Sequence, residues 1–408
     1  MTPKDVISHI NSHWSDTIRT PDDVIHGNIR IPCNFTVPCA KDGFTDFYYW
    51  DTYFTNLGLM LCGRIDQAAS NLDVMKFFVE TIGYVPNANH ITDRSQPPLF
   101  SRGVRDLYRF TGDKAVILRY IDALIREHEF FVKNRTVFKG LCAYSTAMTE
   151  EELIGAAGIC GRVSEPMPET REEVLRLSKN LYSIAESGWD FTPRFNTEDG
   201  RFLADEFVHI DLNCLLTDAE SNIAYMLREI GRDEDADVFD GYAAERAALI
   251  REIMTDPETG LFLDYNFKTD TFSRIPSAAS FYPYFSGVSA DHEGALRLLS
   301  LLEYPHGLST CAERPEGRYL QWDFPAMWPS NVYFAVNALD SLGLTDDAKR
   351  IASKYVTNVT EVFEKTGSLW EKYDSLNGGV SYSSEYETPE MLGWTAGVYI
   401  WLCEKYGF

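Results

Sequence analysis

Apolar side chains recur along most of the chain with the spacing of an amphipathic α-helix. In about a dozen segments they fall at positions i, i+3, i+4 and i+7, which places them on one face of a helix. Polar residues fill the remaining positions, so each helix is expected to bury one face and expose the other. The segments are residues 3–14, 66–82, 98–110, 114–134, 171–187, 218–231, 235–254, 293–303, 331–343, 346–365 and 392–407.

Glycines mark the ends of several predicted helices, at positions where a helix C-terminus favours a left-handed residue. Helices of this length joined by short turns predict antiparallel helical hairpins. Residues 255–272 break the pattern with a proline, a glycine and alternating side chains, and they predict a small β-hairpin. The terminal glycines are Gly83, Gly112, Gly231, Gly343 and Gly367.

The helix count favours a closed ring of hairpins. We expect an all-α fold, an (α/α)6 toroid of six helical hairpins, with the β-hairpin as an insertion. A superhelical repeat scaffold is the alternative, but no self-similarity with a period of about 34 residues is present. No linker divides the chain, so residues 1–408 are expected to form one domain. In a toroid, loops at one end of the inner helices converge on a central pocket, and the chemistry is expected there.

The chain is strongly acidic, with 61 Asp and Glu against 37 Lys and Arg and a formal net charge of -24. A field of this sign repels nucleic acid and anionic lipid, so neither is expected as a partner. The N-terminal residues lack the basic and apolar regions of a signal peptide, and no segment is apolar enough to span a membrane. These features predict a cytoplasmic protein, and we expect a monomer or a homodimer.

The eight cysteines and eight histidines show no metal-site spacing, since neither Cys-x-x-Cys nor His-Glu-x-x-His occurs. We therefore expect no metal and no cofactor, and interpret the cysteines as buried free thiols. Aromatic residues are abundant instead, at 13%, and many lie in predicted loops. Aromatic faces with a polar tip suit sugar rings, which present C–H patches and hydroxyl edges.

Five clusters of polar and aromatic residues fall in loops or at helix edges, and several pair a tryptophan with an acid. Because the loops of a toroid converge, the clusters are expected to form one pocket for a small neutral sugar. They read FYYWDTYF (47–54), YVPNANHITDRSQPP (84–98), ESGWDFTPRF (186–195), LQWDFPAMWP (320–329) and YSSEYETPEMLGWT (382–395).

These blocks, in this order, resemble those of the trehalases of glycoside hydrolase family 37, from about residue 44 to residue 398. The resemblance implies an (α/α)6 toroid that hydrolyses a small α-linked glucoside with inversion at the anomeric carbon. Trehalose is the leading candidate substrate. It implies Asp190 as general acid and Glu385 as general base. The sugar contacts that it implies are Phe44, Tyr49, Trp50, Asp51, Asn87, Arg94, Gln96, Glu169, Gly188, Trp189, Gln321, Trp322, Asp323, Trp328 and Trp394.

Local residue chemistry supports an acid and base pair. An inverting glycosidase needs one protonated carboxyl group to donate to the leaving oxygen and one ionised carboxylate to activate water. Trp189 is expected to exclude water from Asp190 and to raise the pKa of that carboxyl. Glycines and serines before Glu385 predict an irregular loop that keeps its carboxylate hydrated, with Glu387 and Glu390 as rivals for the same role.

Structural roles are the alternatives for several of these side chains. Asp190 and Asp51 also suit helix N-caps, and Asp211 suits a structural cap better than a catalyst. Arg94 also suits a surface ion pair.

Two departures from the family bear on the substrate. Gly43 and Met167 stand where the family carries arginines, which supply rigid forks of donors for sugar hydroxyls. The short chain also resembles compact glycosidases of family 63, so the same mechanism on glucosylglycerate or mannosylglycerate is an alternative. An anionic aglycone needs a cation, and Lys41, Arg162 and Arg194 are the candidates.

Two further classes of function are alternatives to hydrolysis. A sugar epimerase on the same toroid transfers protons with paired histidines, and the loops contain no convincing pair. A non-catalytic sugar-binding protein or a helical scaffold has no need of two carboxylates among tryptophans.

Overall fold

A computed structural model describes residues 1–24, 26–27, 29–163, 166–197, 200–314, 319–382 and 385–408. Helices dominate it, as the apolar spacing predicted. The α-helices are α1 (Pro3–His13), α2 (Tyr49–Leu61), α3 (Ile65–Ile82), α4 (Phe100–Thr111), α5 (Lys114–Arg135), α6 (Glu150–Gly155), α7 (Arg171–Glu186), α8 (Ile210–Glu229), α9 (Asp233–Ile253), α10 (Tyr282–Phe285), α11 (His292–Leu302), α12 (Pro329–Ser341), α13 (Thr345–Thr366) and α14 (Gly393–Tyr406). Short 3-10 helices cover Trp14–Thr17, Pro21–Asp23, Ala157–Arg162, Pro193–Phe195, Ala204–Glu206 and Ala278–Phe281.

Six helices form an inner ring: α2, α4, α8, α10, α12 and α14. Each contacts the next in this order, and α14 packs against α2 to close the ring. Helix α2 shows why it lies inside, because its sequence YWDTYFTNLGLML is apolar or aromatic on nearly every side and all but its last residue are buried. The closed arrangement is the predicted (α/α)6 toroid.

The outer helices are amphipathic and pack on the inner ones. Helices α3, α5, α9, α11 and α13 each follow an inner helix in the chain, and α1 packs on α13 and α14 at the point of closure. The exposed faces of α9 and α13 are rich in Asp, Glu, Lys and Arg. Helices α6 and α7 lie apart from this alternation, in the long excursion between α5 and α8.

The strands are short and pair antiparallel in the long connections. The hairpin predicted within residues 255–272 is confirmed, since β6 pairs with β7 there, and β5 adds a third strand that the sequence did not predict. The strands are β1 (Ile18–Arg19), β2 (Phe35–Thr36), β3 (Thr136–Phe138), β4 (Leu141–Cys142), β5 (Phe207–Val208), β6 (Tyr265–Asn266), β7 (Thr271–Phe272), β8 (Glu303–Tyr304), β9 (Gly307–Leu308), β10 (Ala326–Met327) and β11 (Tyr373–Asp374).

The expected helix ends and free thiols are also present. All five predicted terminal glycines have a positive φ, between 68° and 92°. The eight cysteines are free, six of them buried. In the described ranges, no group of three or more His, Cys, Asp or Glu side chains is arranged to hold a metal ion. No helix in the same ranges has the length and apolar character that a membrane crossing requires.

Two glycines allow α2 and α14 to approach closely where the ring closes. A Cβ atom on Gly397 would lie 1.9 Å from the carbonyl oxygen of Phe54, and one on Gly58 would lie 2.9 Å from the Cα of Gly397. A methyl group cannot be accommodated at these distances without moving the helices apart.

We expect Gly397→Ala to lower the free energy of unfolding by about 1–3 kcal/mol, because the added methyl overpacks the closure. Urea denaturation followed by circular dichroism measures the change. Gly241→Ala on α9 is the control, since its Cβ would meet nothing within 4 Å, and alanine there is expected to stabilise by about 0.5–1 kcal/mol. Equal stability of the Gly397 variant and the unmodified protein would contradict the close packing.

Candidate active site

A cavity of about 520 Å³ lies where the N-terminal ends of three inner helices converge. Trp50 and Asp51 enter it from the first turn of α2, Trp328 from the N-cap of α12, and Trp394 from the first turn of α14. The prediction that the clusters converge on one pocket is confirmed for residues from all five of them.

A larger cavity of about 800 Å³ lies on the outside of the ring, between α5 and α9. Its buried charges satisfy one another, because the Glu220 carboxylate is 2.9 Å from His128 and 2.8 Å from Arg246. It brings together none of the predicted site residues. The smaller central cavity is therefore the candidate active site.

Tryptophan rings form one wall of the central cavity. Trp322 stacks on Trp328 with their centroids 3.8 Å apart, and Trp394 meets Trp328 edge-on at 5.5 Å. Trp50 lies edge-on to Trp394 at 5.8 Å. These faces offer a broad apolar surface for the C–H patches of a sugar ring.

Asp190 lies at the cavity beyond the C-terminus of α7. The chain reaches it through Gly188, which has a φ of 76° and passes so close to Trp50 that a Cβ would lie 2.7 Å from the indole. The Asp190 side chain keeps 32% of its surface exposed, and its Oδ2 accepts a hydrogen bond of 2.9 Å from Nη1 of Arg162. The carboxyl can therefore reach a ligand in the cavity.

Trp189 does not have the predicted role toward Asp190. Its side chain is fully buried, stacks on Trp322 at 5.3 Å and lies beneath the guanidinium of Arg194 at 4.5 Å. The ring thus packs under the cavity wall while the neighbouring carboxyl faces the cavity opening. The prediction that the tryptophan keeps water from Asp190 is corrected accordingly.

Glu385 shares the guanidinium of Arg162 with Asp190. Its Oε2 accepts from Nη2 of Arg162 at 3.1 Å, and its Oε1 accepts from the backbone N–H of Gln321 at 3.1 Å. Burial raises the pKa of Glu385 to about 7, against the opposing effect of Arg162 and with a further rise from Asp190. Only 2% of the side chain is exposed, in contrast to the hydrated carboxylate that the sequence predicted.

The two sequence rivals of Glu385 are separated by the fold. Glu387 lines the central cavity and is exposed to solvent, whereas Glu390 lies in a different, smaller cavity beside the N-terminal helix.

Glu371 is a cavity carboxyl that the sequence interpretation missed. It is 1% exposed and lines the central cavity beside Asp51. Its Oε1 accepts from the hydroxyl of Tyr386 at 2.6 Å, and its Oε2 accepts from Nζ of Lys372 at 2.6 Å. The available signal was the pair Trp370-Glu371, which repeats the tryptophan-acid pattern of the other clusters.

Burial raises the pKa of two carboxyl groups at the cavity, those of Asp51 and Glu371. The pKa of Asp51 is raised to about 8, first by burial and then by the charges of Glu371 and Asp190. The pKa of Glu371 is also raised by burial, although Lys372 and Tyr386 oppose the rise. The rise favours the protonated form of Asp51, in which the carboxyl can donate a hydrogen bond to a sugar hydroxyl.

Most of the predicted sugar contacts lie at the cavity. Gln96 is fixed there because its Oε1 accepts from the backbone N–H of Trp50 at 3.0 Å. Arg94 lines the cavity and is also paired with Asp93 at 2.8 Å, so the ion pair proposed as its alternative role is present without removing it from the cavity wall. The predicted contacts that line the cavity are Phe44, Trp50, Asp51, Asn87, Arg94, Gln96, Gly188, Trp322, Trp328 and Trp394.

Four other predicted contacts, besides Trp189, lie away from the described cavity wall. Tyr49 points into the helical core, where its hydroxyl donates to Glu127. Asp323 is buried and accepts from Arg314 and from two backbone N–H groups. Glu169 lies in a separate cavity of about 440 Å³, and Gln321 contributes its backbone N–H to Glu385.

The structure also bears on the capping roles considered for Asp51, Asp211 and Asp190. Tyr48 is the N-cap of α2, so Asp51 is not a cap. Asp211 is structural, but as the 2.9 Å ion-pair partner of buried Arg194. Thr192 caps the 3-10 turn that follows Asp190, whose own carboxyl is free to face the cavity.

Comparison with known proteins identifies the family. The sequence matches the trehalase family over residues 4–407. The chain belongs to the trehalase family. It is 30% identical to the periplasmic trehalase of Xanthomonas campestris pv. campestris, across 98% of this chain and 73% of that protein. The family consists of glycoside hydrolases, so this trehalase-family chain is one too.

Solved structures share the toroid. The neutral trehalase of Saccharomyces cerevisiae superposes with a TM-score of 0.73 at 22% identity, over 99% of this chain and 80% of that one. A family 63 mannosylglycerate hydrolase of Thermus thermophilus superposes with a TM-score of 0.68 at 16% identity, over 97% of this chain and 99% of that one. The resemblance to the trehalases, predicted from the sequence blocks, and the resemblance to family 63, predicted from the short chain, are both confirmed.

The predicted cytoplasmic location is wrong. The Xanthomonas relative, which this trehalase-family chain matches over nearly its whole length, is named a periplasmic trehalase, which contradicts that prediction. The prediction rested on N-terminal residues without the pattern of a signal peptide and on the lack of an apolar spanning segment, and neither feature determines the compartment.

Proposed function

We propose that the chain hydrolyses α,α-trehalose with inversion at the anomeric carbon. The observation that carries the proposal is the cavity itself, in which Asp190 and Glu371 line one aromatic-walled space at the end of the inner helices. An inverting glycosidase needs one carboxyl group to protonate the leaving oxygen and a second to activate water on the other face of the ring.

Asp190 is the proposed general acid. Its partly exposed carboxyl faces the cavity and can reach the oxygen between the two sugars. Donation of its proton leaves a carboxylate, and Arg162 at 2.9 Å stabilises the charge that forms. Arg162 thus lowers the energetic cost of the charge that remains on Asp190 after the transfer.

Glu371 is the proposed general base, in place of the Glu385 predicted from the sequence. Glu371 lines the cavity directly, and its donors Lys372 and Tyr386 favour the ionised form that can accept a proton from water. Glu385 is absent from the described lining, and its two oxygens accept hydrogen bonds from Arg162 and from the backbone N–H of Gln321. We assign Glu385 to the orientation of Arg162.

The charges at the cavity favour a neutral second sugar over a glycerate. Of the three cations considered for an anionic aglycone, Lys41 lies at another cavity and Arg194 is fully buried between Asp211 and Asp264. Arg162 does line the cavity, but the carboxyl groups of Asp190 and Glu385 already contact it. An anion would also approach several carboxyl groups, which raises the cost of its binding.

No histidine is among the described residues that line this cavity, which disfavours the epimerase alternative, since that reaction needs paired histidines. The single domain over residues 1–408 and the monomeric or dimeric state stay predictions.

The anomeric form of the first products tests the proposal. We expect proton NMR of a fresh trehalose reaction to show β-glucose and α-glucose in equal initial amounts, because inversion converts one sugar and releases the other unchanged. Retention would give α-glucose alone. Glucosylglycerate and mannosylglycerate are assayed in parallel, with Glu371→Gln as the blank. Faster cleavage of a glycerate than of trehalose would contradict the substrate assignment.

A further inference from the structure

Lys372 is a fully buried lysine beside the catalytic cavity. Its Nζ donates to Oε2 of Glu371 at 2.6 Å. Two aromatic faces surround the same ammonium, with the ring centroids of Trp328 and Tyr386 at 4.9 and 4.8 Å. The residue directly precedes β11, which pairs with β10, so the backbone that carries it is fixed.

A buried ammonium in this setting requires a specific reason. Removing a charged amine from water costs several kcal/mol unless a counter-charge and other contacts compensate. The Glu371 carboxylate supplies the counter-charge, and the electron-rich faces of Trp328 and Tyr386 take the place of water. Since Glu371 lines the cavity and Lys372 does not, the lysine reaches the reaction only through that carboxylate.

We infer that Lys372 is a positioning residue for hydrolysis: its ammonium keeps the Glu371 carboxylate ionised and directed at the cavity. The inference deepens the proposed function and rests on it, because it matters to the reaction only if Glu371 activates the water.

The groups facing Glu371 determine the sign of the effect. Asp190, Asp51 and the Cys39 thiol bring negative or potentially negative charge toward it, and Lys372 is the cation in direct contact. Burial raises the pKa of Glu371, while Lys372 and the Tyr386 hydroxyl lower it. Loss of the ammonium therefore raises that pKa further. A base must be ionised to act, so the acidic limb of kcat/KM moves to higher pH.

The experiment compares pH profiles of kcat/KM for trehalose in Lys372→Met, Lys372→Gln and Lys372→Arg. We expect the two neutral substitutions to move the acidic limb upward by at least about one pH unit, because loss of a contacting opposite charge shifts a carboxyl by this amount. Arginine, which keeps the charge, should restore the limb toward its original position. Lys354→Met is the matched control, since Lys354 pairs with Glu303 on the outside of the ring at 2.7 Å.

Circular dichroism first establishes which variants are folded. If the methionine variant is not, the glutamine variant carries the test, because it keeps a donor of similar reach without the charge. The inference would be overturned if the acidic limb stayed in place in a folded Lys372→Met or Lys372→Gln variant. It would also be overturned if kcat/KM fell by the same factor at every pH. Glu371→Gln separates this failure from that of the proposed function: substantial activity in that variant refutes the base assignment whatever the lysine variants do.

Discussion

Asp190→Asn is expected to lower kcat for trehalose by about 100- to 10,000-fold, the usual contribution of a general acid. The amide has the shape of the carboxyl group but no proton to give to the leaving oxygen. The same variant should hydrolyse α-glucosyl fluoride nearly as fast as the unmodified enzyme, because fluoride departs without protonation. Glucose release from both substrates, measured side by side, gives the two numbers.

The control is Asp122→Asn, the same chemical change on the exposed face of α5, where the side chain is 82% exposed. It should leave both rates unchanged. Equal losses on trehalose and on the fluoride in Asp190→Asn would contradict the acid assignment, since a disturbed cavity affects both substrates alike. Normal turnover of trehalose would contradict it more directly.

The helical ring was predictable from the sequence because each outer helix carries its own amphipathic signal. The period of apolar residues in α13 and the glycine at its end suffice to place that helix. The inner helix α10 gave no such signal, since YPYF is too short and too uniformly apolar to show a period. Strand β5 gave no sequence signal either, because it has only two residues, too few to show alternation, and it pairs with a hairpin that lies far along the chain.

Site residues were predictable from the sequence where the residue type itself indicates the chemistry. They were less predictable where side-chain direction or contacts between distant residues determine the role. The clusters that hold Trp50, Asp51 and Asp190 stood out because each pairs a tryptophan with an acid, and the family resemblance supplied the roles expected of these residues. Tyr49 and Trp50 are neighbours in sequence, yet only the helix geometry of α2 shows that one side chain points to Glu127 and the other to the cavity. The partner of Glu385 could not be predicted either, since Arg162 is distant in the sequence and reaches it only through the fold.

Glu371→Gln is expected to lower the hydrolysis of both trehalose and α-glucosyl fluoride by at least about 100-fold. Both reactions need a water molecule that has lost a proton, and the amide cannot accept one. Glu385→Gln should reduce both rates far less, because Glu385 contacts Arg162 and Gln321 and is not among the described residues that line the cavity. Glu387→Gln, an exposed carboxyl at the same cavity, completes the comparison with the smallest loss.

The face of the sugar from which the nucleophile attacks can then be identified from the reaction product. In Glu371→Ala the missing carboxylate leaves space beside the anomeric carbon, and added azide, which needs no base, should occupy it and attack α-glucosyl fluoride. Attack from the water side gives β-glucosyl azide, detectable by NMR, and restores fluoride release. The same rescue in Glu385→Ala but not in Glu371→Ala would return the base to the residue that the sequence favoured, because azide rescues only the position from which water is activated.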